Sequence, residues 1–243
     1  MDDELPASRA FLRSVDWSRL EHGGGSAAPG TPMVLAGLAH DSAPDAAARA
    51  LRHLWDDLLH QGSLYSATPK AAVYVAAVLG ESHGDESSMS SRHEIELLEW
   101  LAEVAYAVSV SRERQLKEWF GPEVMERNPL FGEVRAIRPL VFTGVHPYIS
   151  DAHTDVVEAA LLAATHLLDA PELAACIDVL APDIRDVLGV SSKQGYRDAA
   201  ISALAAWGEN VESLTASTES TEEGASWNEF WNSDRGPVDN PPF

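Results

Sequence analysis

Residues 46–80 read AAARALRHLWDDLLHQGSLYSATPKAAVYVAAVLG, and this stretch decides the fold class. Ala47, Ala50, Leu51, Leu54, Trp55, Leu58 and Leu59 recur at the i, i+3, i+4, i+7 spacing of one buried helical face. Ser42-Ala43-Pro44-Asp45 supplies start chemistry ahead of it, and His60-Gln61-Gly62 sets a glycine where a left-handed residue closes a helix. A second helix opens at Thr68-Pro69. Threonine can cap free N–H groups, and proline at the first helical position loses no bond. Ala72, Val75, Ala76 and Leu79 share a face of this helix, which is expected to end near Gly80. Joined by so short a turn, the two helices are expected to run antiparallel as an αα-hairpin.

The same construction recurs along the chain. Ser90 and Ser91 open a helix through Ile95, Leu98, Leu101, Ala102, Ala105 and Val108. Ser109-Val110-Ser111 weakens its continuation to Trp119 and Phe120, and Gly121-Pro122 ends it. Prolines at 129, 139 and 147 predict short helices and turns over 123–148. Ser150 and Asp151 are expected to cap a helix bearing Val156, Val157, Ala160, Leu161, Ala164, Leu167 and Leu168. Its partner starts at Pro171-Glu172 and is broken or kinked by Pro182, and a last helix carries Tyr196, Ala199, Ala200, Ala203, Leu204 and Trp207 before Gly208. The nearest approach to a strand, 138–145, is interrupted by Pro139 and Gly144. The expected fold is all-α: stacked antiparallel helix pairs in an α-solenoid over residues 1–208.

From Glu209 the composition changes. Glu209, Glu212, Glu219, Glu222 and Glu223 stand among Ser and Thr, the pattern of a solvated acidic linker over the start of 209–243. Beyond it comes Trp227-Asn228-Glu229-Phe230-Trp231. On a helix, Trp227, Phe230 and Trp231 occupy i, i+3 and i+4 and form one aromatic face. Two fates stand open for it: folding back on the stack as a cap, or docking into a partner's groove.

Residues 14–80 carry a resemblance to a known group. Val15-Asp16-Trp17, Leu20 with His22-Gly23, Leu35–Leu38, the helix with Ala50 and Leu54, then His60-Gln61-Gly62, Tyr65, Ala67-Thr68 and Ala72–Leu79 follow in order. They resemble actinobacterial HEAT-repeat-like proteins. Those commonly place a proline and an aromatic in the second helix of the motif; here the stretch is Lys70-Ala71-Ala72-Val73-Tyr74-Val75, with the aromatic displaced or substituted as Tyr74, which implies local repacking within the same fold. The resemblance implies an α-solenoid and, for some members, a toxin-immunity role. It supplies no catalytic residue.

Charge narrows the function classes. Lys and Arg number 17 against 38 Asp and Glu, a formal −21 at pH 7. That balance opposes nucleic-acid and anionic-membrane binding, which depend on Lys and Arg, and fits a basic protein partner or plain solubility. No apolar stretch approaches a membrane span, and Met1-Asp2-Asp3-Glu4 lacks the core of a secretory signal, so the cytoplasm is the expected location. The one cysteine, Cys176, excludes a disulfide framework and a multi-cysteine metal site, and is expected as a small buried hydrophobe.

Candidate chemistry yields no active site, metal site or cofactor site. His93-Glu94 begins like a zincin motif, but Leu97 stands where the second histidine belongs. Asp151, His153 and Asp155 at a helix start point in different directions and are expected to cap. Gly23-Gly24-Gly25-Ser26 lacks the Lys-Ser/Thr of a phosphate loop. His60, Gln61 and Tyr65 read as turn residues, with the edge of a ligand groove as the alternative. The expected function is therefore non-catalytic protein binding, in its most concrete form immunity against a basic toxin. A scaffold organising the proteins of a pathway is the alternative, and an enzyme with a helical groove a third class. The candidate partner-binding residues are the acids Asp56, Asp57, Glu94, Glu96, Glu99 and Glu103, with Trp227, Phe230 and Trp231.

Overall fold

A computed structural model describes residues 4–23, 29–39, 44–83, 89–125 and 127–218. Among them the chain is all-helical, with no strand. The helices are α1 (Ser8–Ser14), α2 (Thr31–Leu35), α3 (Pro44–Asp56), α4 (Thr68–Ser82), α5 (Ser91–Tyr106), α6 (Val110–Phe120), α7 (Pro129–Val145), α8 (Thr154–Leu167), α9 (Ala174–Val187), α10 (Gln194–Ala206) and α11 (Glu212–Thr218). By packing the chain divides inside α9, into a unit Met1–Val179 and a unit Leu180–Phe243.

The first unit is organised around four helices. α5 lies along α8 and α4 along α7, and lesser contacts join α4 to α5 and α7 to α8, so the four close a ring. The residues explain why α4 and α8 sit inside. Ala71 to Leu79 of α4 are all buried, as are Ala159 to Thr165 of α8. A helix that is apolar on every side must be covered on every side. The close α4–α7 approach depends on Gly144, where an added Cβ would meet the Ala76 carbonyl oxygen at 2.4 Å.

This pairing departs from the expected consecutive hairpins. α3 packs on α2, on the turn Ala36–Leu38 and on α5, and α4 is not among its main partners. The turn between α3 and α4 accounts for it. Gln61 and Gly62 both take positive φ, 52° and 73°, and Thr68 turns its hydroxyl backwards. Its oxygen accepts from the Tyr65 N–H at 2.9 Å and donates to the Leu58 carbonyl at 2.6 Å. Thr68 thus ties the turn to the end of the preceding segment and does not cap its own helix. Gly62 does take the left-handed conformation its position predicts.

Buried aromatics close several helix ends. A helix leaves its last carbonyls without intrahelical donors. Tyr74 donates to Leu35 O at 3.0 Å, Trp100 to Leu54 O at 2.9 Å and Tyr148 to Leu79 O at 2.9 Å, each near a helix C-terminus. Each ring buries apolar area while its polar tip donates to a carbonyl; the Leu79 carbonyl also accepts from the His83 N–H at 3.1 Å, so there the tyrosine adds a second bond. Burial also pushes the Tyr74 phenol up to about 12.

Three further expectations give way to the tertiary structure. The proline-rich 123–148 is mostly one helix, α7, of 17 residues, and the expected turns and short helix are confined to its flanks, at 123–125 and in the 3-10 helix His146–Ser150 that holds Pro147. Pro129 stands in its first turn, where the Asn128 side chain accepts from the Leu130 N–H. Pro139 forfeits one interior bond, a cost of about 3 kcal/mol that burial of Val134, Val141, Phe142 and Val145 offsets. Second, the segment read as linker begins with α11, whose Leu214 packs on Gly189. Third, Cys176 is half-exposed on α9, and α9 continues through Pro182 without the break that proline could have made. The uncertain break after α5 is real: Ser109 caps α6 by accepting from the Arg112 N–H, and Gly121, at φ 91°, ends it.

In the second unit, Arg185 donates to the Asn210 carbonyl and bridges Glu209 at 2.6 Å. Tyr196 and Leu204 of α10 are buried.

Candidate functional site

The acids expected to face a partner have unequal surroundings. Asp56 is exposed at the end of α3. Asp57 is bound by His53, whose Nδ1 lies 2.6 Å from its carboxylate. Glu96, Glu99 and Glu103 follow at i, i+3 and i+7 on one side of α5, all partly open to solvent. Arg92 bridges Glu96 at 3.1 Å. Glu94 points the other way: it is 7% exposed, and burial followed by the Asp151 charge raises its pKa. It is therefore a poor steering group. Trp227, Phe230 and Trp231 lie outside the described residues.

Towards the end of α5 the acid row meets residues that the sequence does not single out. Burial pushes Glu103 up to about 7, against the pull of the Arg112 guanidinium and with the help of Glu99. Tyr106, one turn on, is raised by burial, and its ring is 5.2 Å from that of His166 on α8. Burial alone holds His166 down to about 4. Near neutral pH the cluster thus offers a carboxyl that is partly protonated, a neutral imidazole and an intact phenol. The one sequence clue was weak: His166 is a lone histidine in the apolar run 161–168, a pattern that more often marks a core position.

Arg112 reaches this cluster from α6, bonds to the Gln115 amide oxygen and lies over the Trp119 ring at 5.4 Å. Behind it Asp169 accepts the Val110 N–H at 2.8 Å, and the buried Arg138 donates to the Asp169 carbonyl at 3.3 Å. Arg138 leaves its Nε unpartnered and lines a cavity of about 10 Å³, room for about one water, walled by Ala72, Leu101, Val134 and Leu167.

At the other end of the unit, Thr31 Oγ1 and His53 Nε2 are 3.0 Å apart, so hydroxyl, imidazole and the Asp57 carboxylate form a chain. Those are the parts of a nucleophilic triad. Thr31 is only 1% exposed, however, and the next residue, Pro32, has no N–H to offer an oxyanion. The chain of bonds ties α2 to α3. Beside it Gly23 N–H donates to Asp57 O at 2.6 Å and Ala67 N–H to Glu21 O at 3.1 Å, which ties residues 21–23 to the segment that joins α3 and α4.

Asp151 accepts from the His153 backbone at 2.8 Å and contacts its ring at 3.0 Å, and no group of three His, Cys, Asp or Glu among the described residues is arranged to hold a metal ion. No helix among them is long and apolar enough to cross a membrane. Comparison with protein-family models, with curated proteins and with solved structures finds no match to this chain.

Proposed function

We propose that this chain is a non-catalytic protein-binding protein whose acidic surface receives a basic protein partner, in its most concrete form a cognate toxin that it neutralises. The carrying observation is the pair Glu96 and Glu99, both partly open to solvent on one side of α5, within a chain of formal charge −21. Like charges held side by side on a rigid helix raise the local potential and speed the encounter with a basic surface. Asp56 and Asp57 add to the same field. Glu94 contributes little to it, and Glu103 contributes most above its pKa of about 7. The toxin-neutralising part and the solenoid part of the reading are supported by the resemblance of residues 14–80 alone.

The test is affinity capture from native lysate, run in parallel on the wild type and on a combined Asp56→Lys, Glu96→Lys, Glu99→Lys variant. A basic protein enriched by the wild type and lost with the variant supports the proposal. Its association rate should fall steeply with salt for the wild type and hardly at all for the variant. Recovery of one and the same set of proteins by both sinks it, and a set of several acidic or neutral proteins favours the scaffold alternative.

A further inference from the structure

α6 differs from every other long helix of the first unit. It is 11 residues long, yet none of its residues is buried. It has no extensive contact with any other helix. Leu116 is only half-buried, and the aromatic residues at its end are mostly in solvent, with Trp119 60% and Phe120 66% exposed. Its neighbours α4, α5, α7 and α8 are held by buried side chains. Hydrophobic burial, the main favourable term in packing a helix, is therefore nearly missing for this one.

What holds α6 is a small set of polar ties. Its Glu113 receives Arg135 from α7 and Lys117 from its own next turn. Arg135 also donates to the Val108 carbonyl through Nε and Nη2, both at 3.1 Å, and so anchors the joint between α5 and α6. The Val110 N–H is fixed by Asp169 at 2.8 Å. On the inner side Arg112 sits in the field of Glu103 and Tyr106. Arg112, Arg114 and Lys117 put three of the 17 basic residues of this chain on one short helix. Against them stand Glu113 and Glu118, so the ties of α6 are specific pairs and not a general attraction of a basic helix for an acidic one.

We propose that α6 is a displaceable strap, held to the bundle by polar ties and released as a unit without unfolding the helices beneath it. Ser109 and Gly121 define its two hinges, a cap at one end and a positive-φ glycine at the other. Release carries Arg112 away from Glu103 and Tyr106. The strap stands on the packing of α6 and does not depend on the identity of any partner.

Hydrogen exchange read by mass spectrometry tests it on the full chain. At a single pH, in 0.05 and 1 M salt (~10 and ~3 Å Debye lengths), the amides of α6 should exchange at least tenfold faster than those of α5 and α8. High salt should accelerate α6 about tenfold more and leave α5 and α8 unchanged. Arg135→Gln should do the same at low salt. Glu113→Gln, which spares the bonds from Arg135 to Val108, gives a second variant should the first not fold. Protection of α6 equal to that of α5, or acceleration shared by all three helices, overturns the strap.

Discussion

His53 Nδ1 lies 2.6 Å from the Asp57 carboxylate while its Nε2 lies 3.0 Å from the Thr31 hydroxyl, so one imidazole is fastened on both sides. A carboxylate can only accept, so Nδ1 carries a proton towards Asp57 and Nε2 pairs with the Thr31 hydroxyl. Removing the hydroxyl leaves a nitrogen without its partner beneath the first residue of α2. Thr31→Val should therefore destabilise the protein by ~1–3 kcal/mol despite its near-equal volume. Urea unfolding of Thr31→Val, His53→Phe and the double variant checks the claim. The double variant should cost clearly less than the sum of the singles.

Gly144 and Gly132 lie on the same helix in opposite circumstances. A Cβ on Gly144 would overlap the Ala76 backbone, which cannot move aside as a side chain can, while one on Gly132 would meet nothing within 4 Å. Gly144→Ala should cost ~2–4 kcal/mol, at or above the usual range for overpacking. Gly132→Ala should gain up to ~1 kcal/mol from helix propensity. Denaturant midpoints for the two variants should move in opposite directions.

Glu103 and His166 oppose one another in pH. Glu103 is raised from 4.5 to about 7, so the folded state holds a proton that the unfolded chain has released. Its contribution is fully present below 4.5 and is lost as pH rises through 7. His166 is lowered from 6.5 to about 4, so its contribution is present above 6.5 and is lost as pH falls through 4. Glu103→Gln should thus raise stability at pH 8 relative to the wild type, by on the order of 2 kcal/mol, and steepen the net loss of stability on acidification below pH 6.5. His166→Gln should flatten the acid side. Thermal unfolding between pH 4 and 8 separates the two.

Trp119 and Phe120 should matter little to folding. Both are mostly exposed. The double variant Trp119→Ala, Phe120→Ala should shift the unfolding free energy by under ~1 kcal/mol, where truncating Trp100, wholly buried and bonded to Leu54, should cost ~3–5 kcal/mol. Equal losses would mean that the aromatic end of α6 is packed in solution.

Helix existence was legible in the sequence because its cause is local. The 3.6-residue spacing within α3, Pro69 in the first turn of α4, and the positive-φ glycines at 62, 121 and 208 act within a turn or two of backbone, and each appears where its chemistry requires. Which helices pair was not legible. The apolar faces of α4 and α8 say that each must be covered and are silent on the cover; Gly144 against Ala76 admits α7 where a hairpin with α3 was expected. The same holds for α7. Pro139 breaks helices by local rules, and only the burial available along α4 overrides it.

The candidate site divides on the same line. The acid row of α5 is sequence information, since i, i+3 and i+7 share a face in any helix. That Glu94 turns inward, that Glu103 is pushed up to about 7, and that Tyr106, Arg112 and His166 gather beside it follow from three helices meeting. By itself the sequence determined an acidic, all-helical chain. The tertiary structure decided which of its charges stay in water, because desolvation depends on neighbours that lie far away along the chain.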